Sequence, residues 1–101
     1  MPSRTDLSSL ARSCAQAEFA TWQGVLAYRD EQVEALDRGD HSSMYRRMAV
    51  NAIALEIAQT LRISEQQVWR IVEQASRLRE HLPSAWAAFA AGDIGAQKAS
   101  I

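Results

Sequence analysis

A chain of 101 residues with 48% apolar and 23% charged side chains has the size and mix of one small folding domain, which excludes a two-domain enzyme and a disordered tail. Its formal net charge of -1 leaves no overall basic field of the kind that marks a nucleic-acid or anionic-membrane binder. Four Gly and two Pro are too few for the repeated tight turns of a β-sandwich or barrel, and the content of Ala, Leu, Gln, Glu and Arg predicts an all-α fold of four to five helices.

The first forty residues predict one long helix. Between Thr5 and Leu36 apolar residues recur at Leu7, Leu10, Cys14, Ala17, Trp22, Val25, Tyr28, Val33 and Leu36, at intervals of mostly three to five, as on one helical face. Such a run of about 32 residues would be ~48 Å long, against a diameter of roughly 33 Å for a compact chain of this size. Either the helix breaks near Gly24 or its overhang packs against a second chain. Residues 1–40 therefore read as a dimerisation or docking helix for a homodimer or a partner protein, with Trp22, Val25, Tyr28 and Val33 as contact candidates. Cys14, on the same stripe, reads as a buried structural thiol. As the only cysteine it forms no intramolecular disulfide, which suits a reducing, cytoplasmic compartment.

Asp37 to Ser43 is polar, with Gly39 as a stop and serines as an N-cap for a second, well-buried helix from about Met44 to Thr60 that carries Met48, Ile53, Leu55 and Ile57. Ser64 followed by Gln67 is a capping box for a third helix that reaches about His81, with Val68, Ile71, Val72, Ala75 and Leu78 on its apolar face. Pro83 opens a short fourth helix that Gly92 closes, and Ile94 to Ile101 begins a fifth. Residues 41–101 thus form a helical domain that reads as truncated at its C-terminus, the front of a longer protein.

The segment Glu56 to Val72 has the pattern of a helix-turn-helix. Ala58 is the small residue at the crossing, and Ile57, Leu61, Ile63, Val68 and Ile71 are the clamp. The outward positions of its second helix are Glu65, Gln66, Trp69, Arg70 and Glu73, where a DNA reader would meet base edges. Residues 41 to 82 hold six basic and four acidic residues, and Arg46, Arg47, Arg62 and Arg70 are the candidates for phosphate contact with double-stranded DNA. Against DNA stand Glu65 and Glu73, which repel phosphates, and Arg62, which occupies the turn position that often carries Gly. An ordinary crossed helix pair in a small core fits the same residues.

No catalytic, metal or cofactor motif is present. His41 and His81 lie forty positions apart without a second ligand, and there is no glycine-rich phosphate loop and no nucleophile elbow. The longest apolar run, Ala85 to Ala91, falls far short of the ~20 residues that span a bilayer, so no membrane contact is expected.

Arg46-Arg47-Met48-Ala49-Val50, Ile53 to Ala58, Leu61-Arg62-Ile63-Ser64 and Arg77-Leu78 stand in the order of a known family. Leu82-Pro83, the alanine-rich turn through Ala91-Gly92-Asp93-Ile94, then Lys98-Ala99 and Ile101 are the more specific part. Residues 46–101 resemble the domain of unknown function numbered 222, which precedes HNH nuclease modules in many actinobacterial proteins. The resemblance implies a helical, non-catalytic accessory region of an HNH endonuclease-like protein that assists DNA engagement. The alternative is a protein-protein interaction or dimerisation module without DNA contact. No catalytic residue carries over, because paired histidines with an Asn or Asp are missing, and Gly95 stands where the family pattern has serine.

Overall fold

The amides that open a helix lack partners within it, and Ser3 and Asp6 satisfy one another's. Ser3 N–H donates to Asp6 Oδ2 at 3.0 Å and Asp6 N–H donates to Ser3 Oγ at 3.2 Å. The Ser3 amide, and after it the Ser3 hydroxyl, hold the Asp6 carboxyl below its ordinary pKa. In the computed structural model, which describes residues 3–99, this pair starts α1 (Arg4–Asp37), followed by α2 (Ser43–Leu61), α3 (Glu65–His81), α4 (Pro83–Ala91) and α5 (Ala96–Ala99). No strand occurs among the described residues, so the fold is all-α. Helix α1 runs unbroken through Gly24. A glycine inside a helix costs about 1 kcal/mol. Burial of Trp22, Val25 and Leu26 around it, each worth roughly 1.5–3 kcal/mol, outweighs that.

The chain divides into two compact units, and α1 and α3 each lend residues to both. In the unit formed by Met1–Gln23 and Gln74–Ile101, α4 lies against α1 through an aromatic cluster. Phe89 is fully buried, with its ring edge-on to Trp22 at 5.0 Å and to Phe19 at 5.5 Å, while Phe19 meets Trp86 at 4.6 Å. Such tilted and edge-to-face pairs add to simple area burial. Ala75, Leu78 and Ala99 complete this core.

The end of α4 is closed twice over. Gly92 takes the left-handed conformation with φ 81°, and Asp93 N–H reaches back to Ala88 O at 2.9 Å. Arg12 Nη1 and Gln16 Nε2 of α1 donate to Ala91 O at 2.9 and 3.2 Å, and Arg12 also bridges Asp93 at 2.9 Å. A Cβ on Gly92 would lie 2.8 Å from the Arg12 carbonyl oxygen, so only glycine fits both the backbone angle and the approach of α1. After this turn α5 starts at Ala96, two residues later than Ile94, and Ala99 N–H donates to Gly95 O without a serine cap. Ile101, which the sequence places in this helix, lies outside the described residues.

In the unit Gly24–Glu73, Val25 and Leu26 of α1, Ile53, Ala54, Ile57 and Ala58 of α2, and Val68 and Val72 of α3 are buried. Tyr28 O–H donates to Glu56 Oε1 at 2.6 Å, which raises the phenol's pKa. Ser42 caps α2 by accepting from Tyr45 N–H, and the Ser64–Gln67 capping box forms as the sequence predicts, at 3.0 and 3.1 Å.

Two expectations of burial are overturned here. Helix α2 is not buried all round. It covers only the face carrying Ile53, Ala54, Ile57 and Ala58, and leaves Met44, Tyr45, Met48 and Leu55 exposed, because α2 is apolar on more sides than its neighbours cover. Cys14 is exposed. At about 100° per residue, Leu7, Leu10, Cys14 and Ala17 lie roughly 120° round α1 from Ala15, Phe19 and Trp22, and it is the second set that packs.

Replacing Phe89 with Ala should remove about 3–5 kcal/mol of stability, because three aromatic neighbours lose their shared contact. A chemical-denaturation midpoint that does not fall would contradict this core. Arg62 has φ 58°, so Arg62→Gly should instead stabilise by about 0.5–1 kcal/mol, seen as a rise of a few degrees in thermal midpoint.

Candidate functional site

A three-residue turn joins α2 to α3, and it depends on one strained residue. The last carbonyls of α2 need donors, and a chain that reverses within three residues can supply them only if one residue turns left-handed. Arg62 does so at φ 58° and ψ 44°, and the amides of Arg62 and Ile63 both reach Ala58 O. Arg62 thus stands where glycine is usual, and the turn is made without it. Of the residues whose spacing predicts a clamp, Ile57, Ala58 and Val68 are buried, and Ile63 and Ile71 are half-buried. Leu61, read as a fifth anchor, is 40% exposed at the last position of α2, whereas Val72 is buried.

Of the outward positions of α3, Gln66 and Arg70 are exposed together with Glu65 and Glu73, and Trp69 is half-buried. Arg47 and Arg62 are exposed. Arg46 is engaged: its Nε donates to Asp37 Oδ1 at 2.8 Å. That bond holds the Asp37 carboxyl below its ordinary pKa and raises that of the guanidinium. Acidic side chains therefore accompany the basic ones along this pair, and the unit Gly24–Glu73 holds six basic and eight acidic residues, a net of -2.

The contact candidates on α1 divide. Trp22 is only 8% exposed and Val25 4%, so neither presents the free surface expected of it; packing of α1 within the chain takes both. Tyr28 and Val33 are half-buried. The surface that stays open was not singled out from the sequence. On α2, Met44, Tyr45 and Met48 are 71%, 53% and 66% exposed, at helical spacings of one and four. Beside them is an open groove of about 560 Å³ between the end of α1 and the start of α2, lined by Gln32, Ala35, Leu36, Tyr45, Met48 and Ile53. His41 stacks over Tyr45 at 4.6 Å and borders this patch. Large apolar side chains grouped around a concavity are the usual mark of a docking surface.

Among the described residues, no group of three or more His, Cys, Asp or Glu is placed to hold a metal ion. Nor is any helix among them long and apolar enough to cross a membrane. The family model described as "Domain of unknown function (DUF222)" matches residues 11–101. No curated protein matches the chain, and no solved structure does.

The Asp37–Arg46 contact has a pH signature. Because the folded carboxyl value lies below the unfolded one, the stabilisation is present above the ordinary carboxylate range and is lost as pH falls through the lower folded value. Carbon-detected NMR titration should show the Asp37 midpoint rise towards the ordinary value in Arg46→Ala; a midpoint that stays put would mean that the pair does not form in solution.

Proposed function

We propose that this chain, which belongs to the family of domains of unknown function numbered 222, is a non-catalytic helical module that works by docking another polypeptide, within an HNH nuclease-like protein. The observation that carries this reading is the exposed patch of Met44, Tyr45 and Met48 beside the open groove at Leu36 and Ile53. Exposed methionines adapt to partners of differing shape, and an aromatic ring beside them supplies a rigid anchor. Electrostatics favour it too, since a unit with a net of -2 has little attraction for a phosphate backbone. The HNH context comes from the resemblance of residues 46–101.

The reading in which the module assists DNA engagement keeps one observation in its favour. Arg62 holds a left-handed conformation that glycine would adopt without strain, and its exposed guanidinium sits at the turn, where a backbone phosphate could be met.

One pair of measurements separates the two. With a labelled 20-base-pair duplex at low salt, anisotropy should stay flat. Saturable binding whose log-log salt slope is about -3 to -4, as four phosphate contacts would give, would overturn the docking reading in favour of DNA. In parallel, a solvatochromic apolar dye should bind the wild-type chain, and Met44→Glu/Met48→Glu should abolish most of that binding while helicity by circular dichroism is unchanged. Equal dye binding by both proteins would also count against the patch.

A further inference from the structure

A second apolar surface, on α1, has no cover within the chain. Leu7, Leu10, Cys14, Ala17 and Thr21 follow one another at intervals of three, four, three and four, the spacing of a coiled-coil seam. All five are exposed, Leu7 at 58% and Leu10 at 59%. The Thr21 hydroxyl is satisfied by Ala17 O at 3.2 Å, so no unpaired donor stands on this face. None of the five belongs to the aromatic cluster, which uses Phe19 and Trp22 on another side of the helix.

We infer that this seam pairs with the same seam of a second copy of the chain, antiparallel and centred between Ala11 and Ser13. This deepens the docking reading by naming a partner, on a different surface from the Met44–Met48 patch. Size complementarity is the first reason. In that register Leu7 faces Ala17 of the second copy and Leu10 faces its Cys14, so each of the four layers between Leu7 and Ala17 joins one large side chain to one small one and the helices keep an even spacing there, while Thr21 at each end faces Ser3. A parallel pair would instead set Leu on Leu at one end and Ala on Ala at the other, and the seam would taper.

Charge is the second reason. The positions that flank the seam on one side are Arg4, Ala11 and Glu18. Antiparallel pairing brings Arg4 of each copy opposite Glu18 of the other and Ala11 opposite Ala11; on the other side it sets Ser13 against Ser13 and Asp6 against Ala20. No like charges meet. Among the described residues neither Arg4 nor Glu18 has an ion-pair partner within the chain. In the parallel register Asp6 would face Ala11 and Ser13 would face Glu18, with no opposite charges joined.

The single native cysteine makes the arrangement testable. In the antiparallel register facing Cα atoms are about 5 Å apart, within disulfide reach, but the two Cys14 residues are also displaced by about 6 Å along the axis, which puts their Cα atoms about 8 Å apart, beyond the roughly 7 Å that a disulfide spans. Sedimentation of the full chain should show a reversible dimer, and mild oxidation should leave it unlinked. Leu10→Cys should yield a covalently linked dimer, because each introduced thiol faces Cys14 of the other copy, whereas Leu10→Cys/Cys14→Ser should not. Leu10→Glu should weaken dimerisation by about a hundredfold or more, since two buried leucines are lost per dimer. Glu18→Arg should weaken it too, with affinity restored in Arg4→Glu/Glu18→Arg. A monomer up to about 1 mM would overturn self-pairing and leave the dye and duplex results, and so the docking reading, standing. Rapid linking of the wild type or of Leu10→Cys/Cys14→Ser would overturn the antiparallel register.

Discussion

The burial of Trp22, Val25 and Leu26 on consecutive turns of α1 is the contact on which the rest depends. Gly24 between them is the weakest point of a 34-residue helix, and without their packing it would be the place for a break. In one unit Trp22 meets Phe89, and in the other Val25 and Leu26 are buried along with side chains of α2 and α3. The turn at Gly92 is shaped to the same helix, since Arg12 and Gln16 close the end of α4 and the backbone of Arg12 leaves no room for a Cβ.

A helix that is packed on one side has others to spare, and much of the candidate surface follows from that geometry. Helix α1 turns Leu7, Leu10 and Cys14 outward, and α2 turns Met44, Tyr45 and Met48 outward. Both are apolar surfaces on helices whose opposite faces are committed to the core, a pattern that favours association with polypeptide over association with phosphate. The helix-turn-helix pair adds exposed arginines, yet Glu65 and Glu73 lie among them and Asp37 engages Arg46. Shape alone does not make this pair a DNA reader, because affinity for a duplex comes largely from uncompensated positive charge.

Much of the fold was legible in the residues because local chemistry sets it. The Ser64–Gln67 capping box, Pro83 at the first turn of α4 and Gly92 at its end each act through neighbours a few positions away, and each is found where expected. The site was less legible. Trp22 and Val25 read as exposed contacts because their spacing matches the stripe that begins at Leu7, and Cys14 read as buried for the same reason. A period of 3.6 cannot separate two apolar stripes wound on one helix. Nothing local distinguishes Met48, left in solvent, from Ile57, which is buried one full face away.

The sequence by itself therefore determined an all-α chain of four to five helices, the caps at Ser64, Pro83 and Gly92, and membership of one family, since all of these depend on short-range spacing or residue type. Only the tertiary structure decided which apolar face of α1 is core, that Gly24 does not break it, that α2 is covered on one face, and that Arg46 is held by Asp37. The physical reason is that burial and ion pairing belong to two segments at once, and neither segment's residues specify the other's position.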